Sequence, residues 1–442
     1  MKDMTTGDPQ KHLISYALPL LLGNWMQLSY NAIDSMIAGK FIGADALAAE
    51  GIAGPVVNMA ILAVSGLCIG AGVLMSEAFG AKDHTRLRKI MANMVMVGGA
   101  VCCVTALAGI VFAPLLLKML SVPAEIYEIT VLYLRITFLG MPFTFCYNAL
   151  TTGLKSVGDA KTPLKFLAFS AILNAVLDWI FLGILGYGIA CSAATTVFAE
   201  AVSAGLALWY MLRKETSLVP LWAQWRVEKR ISMQILAYGG PTALQQAIQP
   251  ICKVLIQGQV NTLGVATIAT FNAVTRVDDF ACIPEQSVSS AISTYIAQNR
   301  GAGKKERIRN GFRSGIQLEF LYWMFIGTVA VLLREPIVGM FVAGEESAEV
   351  IRLGSGYLLR MSAFYLLPAM TNGMQGFFRG MGKMRTTMMA TSIQASIRTI
   401  CVYWLTPRFT LNAVAYSCAI GWVMMLLFEI PYYCHTCRKE KL

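Results

Sequence analysis

Residues 13–40, LISYALPLLLGNWMQLSYNAIDSMIAGK, decide the fold, because the run carries a single charged side chain, Asp34, ahead of Lys40. An α-helix rises ~1.5 Å per residue and crosses bilayer hydrocarbon in roughly 20 residues, so this run is long enough to span a membrane. An ionisable group there costs at least about 2.5–3.5 kcal/mol at the helix centre, which makes Asp34 a functional-site hypothesis. The run follows a polar decapeptide, holds Asn24, Gln27 and Asn31, and has no small-residue cleavage pattern behind a short apolar core. It reads as a retained helix and not a signal peptide.

The rest of the chain repeats the pattern. Of 442 residues, 56% are hydrophobic and only 14% charged, with a mean hydropathy of +0.58. That excludes a water-soluble globule with a polar exterior and implies an all-α polytopic membrane protein. Twelve spans are expected, near 13–38, 48–76, 90–113, 125–153, 163–185, 188–212, 233–257, 267–297, 308–333, 348–378, 386–406 and 411–434.

The net charge of +11 could suggest nucleic acid, but its placement does not. With the N-terminus inside, the tails and even-numbered connections hold most of the Lys and Arg, among them Lys82, Arg86, Arg88 and Lys89, and Arg300, Lys304, Lys305, Arg307, Arg309 and Arg313. The external loops hold Lys40, Lys118, Arg334 and Arg408. This is the positive-inside rule, and it puts both termini in the cytoplasm with the bilayer, not nucleic acid, as partner. The eleven cysteines lie largely in apolar spans and read as small buried hydrophobes. Cys434, His435 and Cys437 lack the further ligands a metal site needs.

The two halves resemble each other at a shift of about 222 residues. Tyr16-Ala-Leu-Pro19 corresponds to Tyr238-Gly-Gly-Pro241, and Ser76-Glu-Ala-Phe-Gly-Ala81 to Ala297-Gln-Asn-Arg-Gly-Ala302. Arg86 and Arg88 fall on Arg307 and Arg309, and Asn148 with Leu154-Lys-Ser-Val-Gly158 on Asn372 with Phe378-Arg-Gly-Met-Gly382. Six spans per half return the chain to the same side, so the halves are parallel repeats. Residues 1–212 form an N-terminal lobe, 213–232 a basic linker with Trp222 and Trp225 suited to the lipid surface, and 233–442 a C-terminal lobe. Such lobes enclose a cavity and can rock about it, which suits alternating access.

Asn174 and Asp178 are four apart on the fifth span, and Thr196 and Glu200 four apart on the sixth, so each pair shares a helix face. Counted along their helices, Asp34, Asp178 and Thr196 each fall roughly 9–12 Å beneath the outer end. Carboxylate, amide and hydroxyl oxygens at one depth suit Na⁺, and two carboxylates in low dielectric equally suit a proton held between them. The plainer alternative is that each Asp caps or bonds a neighbouring helix. Glu200 could pair with a cation near the cytoplasmic side.

Other polar side chains at membrane depth include Gln27, Asn31, Asn148, Gln245, Gln246, Gln249, Arg276, Asp278, Asp279 and Glu285. Gln27, Asn31, Asn148, Gln249, Arg276 and Asp279 are the candidates for lining a substrate cavity. Arg276 with Asp278 or Asp279 most simply forms a local charge pair, and Gln249 and Gln27 occupy equivalent repeat positions. Gly66 and Gly70 allow close helix contact. There is no nucleophile elbow, phosphate loop or paired catalytic motif, so neither an enzyme nor a cofactor is expected.

Asn31-Ala-Ile-Asp-Ser-Met-Ile-Ala-Gly39, Leu173-Asn-Ala-Val-Leu-Asp178, the Gly-Ala turns after the second and eighth spans, and Phe378-Arg-Gly-Met-Gly382 resemble the MATE (multidrug and toxic compound extrusion) transporters over nearly the whole chain. The resemblance implies a twelve-helix, two-lobed bacterial antiporter of the cell membrane that exports cationic, amphipathic compounds in exchange for Na⁺ or H⁺. By position, Asp34, Asn174, Asp178 and Thr196 resemble that family's N-lobe cation site. Glu200 stands where an amide is more usual. Some branches carry an acid in the seventh span, where this chain has Gln249, and another in the tenth, where it has only apolar or amide residues around Pro368 and Asn372. Coupling is therefore expected through the N-lobe. Each chain holds both lobes of a complete transporter, so a monomer is expected to function. A lipid-linked precursor flippase of similar fold is the runner-up. An intramembrane aspartyl protease would need a Gly-x-Gly-Asp sequence, which is absent.

Overall fold

The structure is a computed structural model that describes residues 2–340 and 347–442, apart from the side chains of Ser35, Ala38, Ala44 and Ser347. Among the described residues there is no strand, and the helices make twelve long passes. In the first half these are α1 (Pro9–Phe41), α2 (Ala44–Gly80), α3 (His84–Asn93) continued by α4 (Gly99–Met119), α5 (Ala124–Ser156), α6 (Lys161–Asp178) and α7 (Ile189–Lys214). In the second half they are α8 (Lys229–Val260), α9 (Val265–Gly301), α10 (Lys305–Leu332), α12 (Ser347–Phe364) continued by α13 (Leu366–Gly380), α14 (Met384–Phe409) and α15 (Asn412–Glu440), with a short α11 (Arg334–Gly339) between passes.

Seven of these passes are apolar enough over their length to cross a membrane by composition alone: residues 45–80, 84–119, 124–156, 161–184, 189–214, 305–332 and 412–440. The others include α1, α8 and α9, each with several polar side chains along its length. The ends expected from sequence fall short of most helices by several residues, because the helices run on past the apolar core into polar sequence. Two passes also contain a π-turn, Met94–Gly98 between α3 and α4 and Trp179–Ile184 directly after Asp178. Single π-turns inside α-helices recur at functional sites. Prolines 55, 142 and 284 sit inside helices, as membrane helices tolerate where neighbours satisfy the freed carbonyls.

Contacts divide the chain into two compact units, residues 1–3 with 19–243, and residues 4–18 with 244–442. Within the first, α5 packs on α2, α4 and α7, and α6 packs on α7. Within the second, α13 packs on α9, α10 and α15, and α14 packs on α15. The same pairs of passes meet in each unit, which is the internal repeat expressed as packing. The interior of the first unit is built on Leu74, Met75, Leu87, Ile90, Leu134 and Leu154, and that of the second on Ile256, Val274, Tyr357, Leu358 and Val414.

The repeat also shows in its turns. After α2, the amides of Ala81, Lys82 and Asp83 bond the carbonyls of Glu77, Phe79 and Ala78; after α9, those of Ala302, Gly303 and Lys304 bond Gln298, Arg300 and Asn299 in the same order. The middle residue is left-handed in both, Lys82 at φ 58° and Gly303 at φ 69°. The matched arginines have matched work. Arg88 donates to the carbonyls of Thr216 and Ser217, ahead of α8, and Arg307 to those of Met4 and Gly7, ahead of α1. Each holds the segment leading into the first helix of a repeat.

Gly66 and Gly70 do serve close approach within the first unit. A Cβ on Gly70 would lie 2.4 Å from the amide nitrogen of Gly239, and one on Gly66 2.5 Å from the backbone of Ala243. Of the eleven cysteines Cys68, Cys102, Cys252 and Cys418 are buried and the others half-buried or exposed, so the reading as small buried hydrophobes holds for those four. Cys103 and Cys146 face outward from their helices, a position that an apolar span permits.

Candidate functional site

Two helices running the same way bring the carboxyls together. Gly23 of α1 faces Leu164 and Leu167 of α6, and at the other end the ring of Phe41 lies 3.2 Å from where a Cβ on Gly183 would sit. Asp34 and Asp178 fall between these contacts, within hydrogen-bonding reach of one another. Asp178 is fully buried and Asp34 half-buried. Asp34 Oδ1 and Asp178 Oδ2 are buried and take no donor from the described residues.

The partners come from α7. Ser170 donates to the carbonyl of Ala199 at 3.0 Å and Ser203 to that of Phe166 at 3.1 Å, which pins α6 to α7 and fixes their phase. Thr195 then donates to Asp178 Oδ1, and Asn174 donates through Nδ2 to Thr196 Oγ1 at 3.2 Å. Asn174 is also fully buried. The hydroxyl nearest Asp178 is thus Thr195, which sequence reasoning passed over by one position. Tyr30 lies within hydrogen-bonding reach of Thr196 and close to Asp34, and Tyr133 and Glu50 also lie near Asp34. Tyr30 was discoverable, since it stands four residues before Asp34 on the same face of α1.

Glu200 does not pair with a lysine or arginine as one reading expected. It accepts from Thr144 of α5, a hydroxyl that its i+4 spacing from Thr196 could not reveal. Arg276 likewise does not form the local pair expected of it: it is exposed, and Asp279 pairs instead with Lys253 of α8 at 2.6 Å. Asp278 accepts from Tyr357 and Tyr365. Among the remaining cavity candidates, Gln27 and Asn31 are exposed and 3.4 Å apart, Asn148 is half-buried, and Gln249 donates to Gln394 at 3.2 Å. In the second unit Gln245 donates to Gln375 and Thr391, and Gln375 to the buried Glu429.

Among the described residues no group of three or more His, Cys, Asp or Glu side chains is arranged to hold a metal ion. The cluster about Asp34 is of another kind, two carboxyls with the hydroxyls of Thr195 and Thr196 and the amide of Asn174, which turns its Nδ2 to Thr196.

Known proteins agree with this architecture. The profile of the MatE family matches residues 19–180 and again residues 241–404, two copies set off by the shift between the halves. A curated relative, the probable multidrug resistance protein YpnP of Bacillus subtilis (strain 168), is 27% identical over 382 residues, which cover 86% of this chain and 85% of that protein. The probable multidrug resistance protein YoeA of the same organism is 28% identical, covering 75% and 73%. The crystal structure of MATE in complex with MaL6 superposes with a TM-score of 0.92 at 20% identity, covering 99% of this chain and 98% of that one. The family match and the fold together define a polytopic membrane transporter built from two six-helix repeats. The chain belongs to the MatE family.

Proposed function

We propose that this protein is a secondary active multidrug exporter that antiports cationic, amphipathic compounds against H⁺ or Na⁺ by alternating access. The relatives named for multidrug resistance support efflux of small organic molecules. The observation that carries the coupling reading is the Asp34–Asp178 pair, two carboxyls brought together from different helices, each with a buried oxygen that takes no donor from the described residues. Two bare carboxylates in low dielectric repel, so the pair is stable only with a proton or a cation between them. Asn174, Thr195 and Thr196 surround the pair with polar groups, and Glu200, bonded to Thr144, lies one turn further along α7.

Entry of the ion neutralises the pair and lets α1 and α6 close; release restores the repulsion and drives them apart. Because substrate and ion favour different states, each expels the other. Gln27, Asn31, Asn148, Gln249, Arg276 and Asp279 are proposed to contact substrate. The lobes are 1–212 and 233–442, the linker 213–232 lies on the cytoplasmic lipid surface with Trp222 almost wholly exposed, and both termini are cytoplasmic. The protein acts as a monomer in a bacterial cell membrane, without a cofactor and without catalysis.

Dye efflux from cells tests this reading. Asp34→Asn and Asp178→Asn, each expressed at the wild-type level, should abolish resistance to cationic dyes, and undiminished efflux in both would remove the mechanism.

A further inference from the structure

A cavity of about 300 Å³ opens at the end of the second unit where α10 begins and α13 and α15 finish. Its wall holds Arg309 of α10, Phe377 of α13, and Tyr433, Cys434, Cys437 and Arg438 of α15. Arg309 stands one turn into α10 and Arg438 in the last turn of α15, and both helices are long and apolar enough to span a membrane. At the ends of such helices the two guanidiniums lie level with lipid headgroups and not with hydrocarbon.

Aromatic packing fixes where the arginines stand. The ring centroids of Phe312 and Phe377 are 5.0 Å apart, and that of Tyr433 lies 4.9 Å from each. Phe312 and Phe377 are buried, and Tyr433 is half-buried at the cavity wall. The three rings join α10, α13 and α15, so the cavity is a product of the packed core and not of a loop.

The charge of the cavity is one-sided. The side chains of Arg309 and Arg438 are exposed and have no ion pair or hydrogen bond among the described residues. Glu306 and Glu440 follow the same two helix ends, yet neither forms an ion pair with them among the described residues. The neighbouring lysines are engaged: Lys305 donates to the carbonyl of Glu440 at 2.7 Å, and Lys383 to Thr436 Oγ1 at 2.7 Å with its ammonium over the ring of Tyr432. No Asp or Glu side chain lines the cavity among the described residues.

That chemistry selects a ligand. Guanidinium N–H groups match the oxygens of a phosphate, and basic pockets between helices at headgroup level hold lipid phosphates. With no acidic side chain in the wall to receive a choline or ethanolamine ammonium, the headgroup that fits carries a net negative charge. A free phosphate would engage the arginines alone, whereas a phospholipid also sets its glycerol and upper acyl carbons against Tyr433, an aromatic suited to the membrane interface.

We infer that this cavity binds the phosphate of an anionic phospholipid, held between Arg309 and Arg438. The bound lipid ties α10 to α15. The site lies wholly within the second unit, and it depends neither on the ion or compound transported nor on which side of the membrane this end occupies.

The test is native mass spectrometry of the delipidated full-length protein titrated with phosphatidylglycerol, phosphatidylcholine or inorganic phosphate. The wild type should retain one phosphatidylglycerol in preference to phosphatidylcholine. Arg309→Gln/Arg438→Gln should bind it at least about tenfold more weakly, whereas Lys439→Gln/Lys441→Gln, which removes the same charge outside the cavity, should bind it as the wild type does. Alkylation of Cys434, read peptide by peptide, should slow when phosphatidylglycerol is bound and should not respond to inorganic phosphate. Each variant is checked for a wild-type melting profile, and if the double arginine variant does not fold, Arg309→Gln alone decides. An equal loss in the arginine and lysine variants, no preference for phosphatidylglycerol, or protection of Cys434 by inorganic phosphate would each overturn the assignment.

Discussion

Thr195 donates its hydroxyl to one oxygen of Asp178, and the other, also buried, takes no donor from the described residues, so this carboxyl is held on one side only. That asymmetry gives a positioning role to a residue one step from the threonine its spacing favoured. A hydrogen bond to a charged group contributes about 1.5–3 kcal/mol. Thr195→Val should therefore slow coupled dye efflux by about tenfold or more, with equilibrium dye binding unchanged, while Thr195→Ser restores the rate. Equal efflux rates for the valine variant and wild type at equal expression would deny Thr195 that role.

Glu200 is fixed by Thr144 of α5, not by a basic residue. Glu200→Gln keeps a partner for that hydroxyl and should retain a wild-type melting temperature, whereas Thr144→Val leaves a carboxyl without its donor and should lower stability by about 1–3 kcal/mol. Thermal unfolding followed by loss of the monodisperse peak measures both.

The left-handed turn residue differs between the repeats, Lys82 in one and Gly303 in the other. Left-handed backbone costs an L-residue roughly 1–2 kcal/mol that glycine avoids. Lys82→Gly should raise the melting temperature by a few degrees and Gly303→Ala should lower it by a similar amount. Open space surrounds the Cβ position at Gly303, so this pair reports backbone strain and not packing.

Arg307 ties residues 4–7 to the start of α10, and Arg88 ties 216–217 to α3. Arg307→Ala should speed tryptic cleavage after Lys11, and Arg88→Ala should speed it after Arg226, each without affecting the other site. Cleavage rates unchanged from wild type would show that other contacts hold these segments.

The helical passes and the repeat were legible because both are long-range patterns: apolar runs of membrane length, and a turn motif that recurs with its arginines. Asn174 and Asp178 were legible as one helix face, and depth counting put Asp34 beside them. The rest required helix phase. Thr195 and Thr196 stand at the same depth, and only the packing of α6 on α7 shows which one meets Asp178. The Lys253–Asp279 pair joins two helices, where sequence proximity favoured Arg276. Glu319 and Glu429 escaped notice altogether. Glu319 follows the basic run that ends at Arg313, so its charge looks balanced along the chain, and only the packing of α10 shows that it is fully buried.

The central claim is that ion coupling runs through Asp34 and Asp178, and transport by purified protein in liposomes tests it most directly. A Na⁺ gradient and a pH gradient are imposed separately, and uptake of a cationic dye is followed for wild type, Asp34→Asn and Asp178→Asn. One of the two gradients should drive accumulation by the wild type, and neither should drive it in either variant. Gradient-driven accumulation at the wild-type rate in both variants would contradict the account.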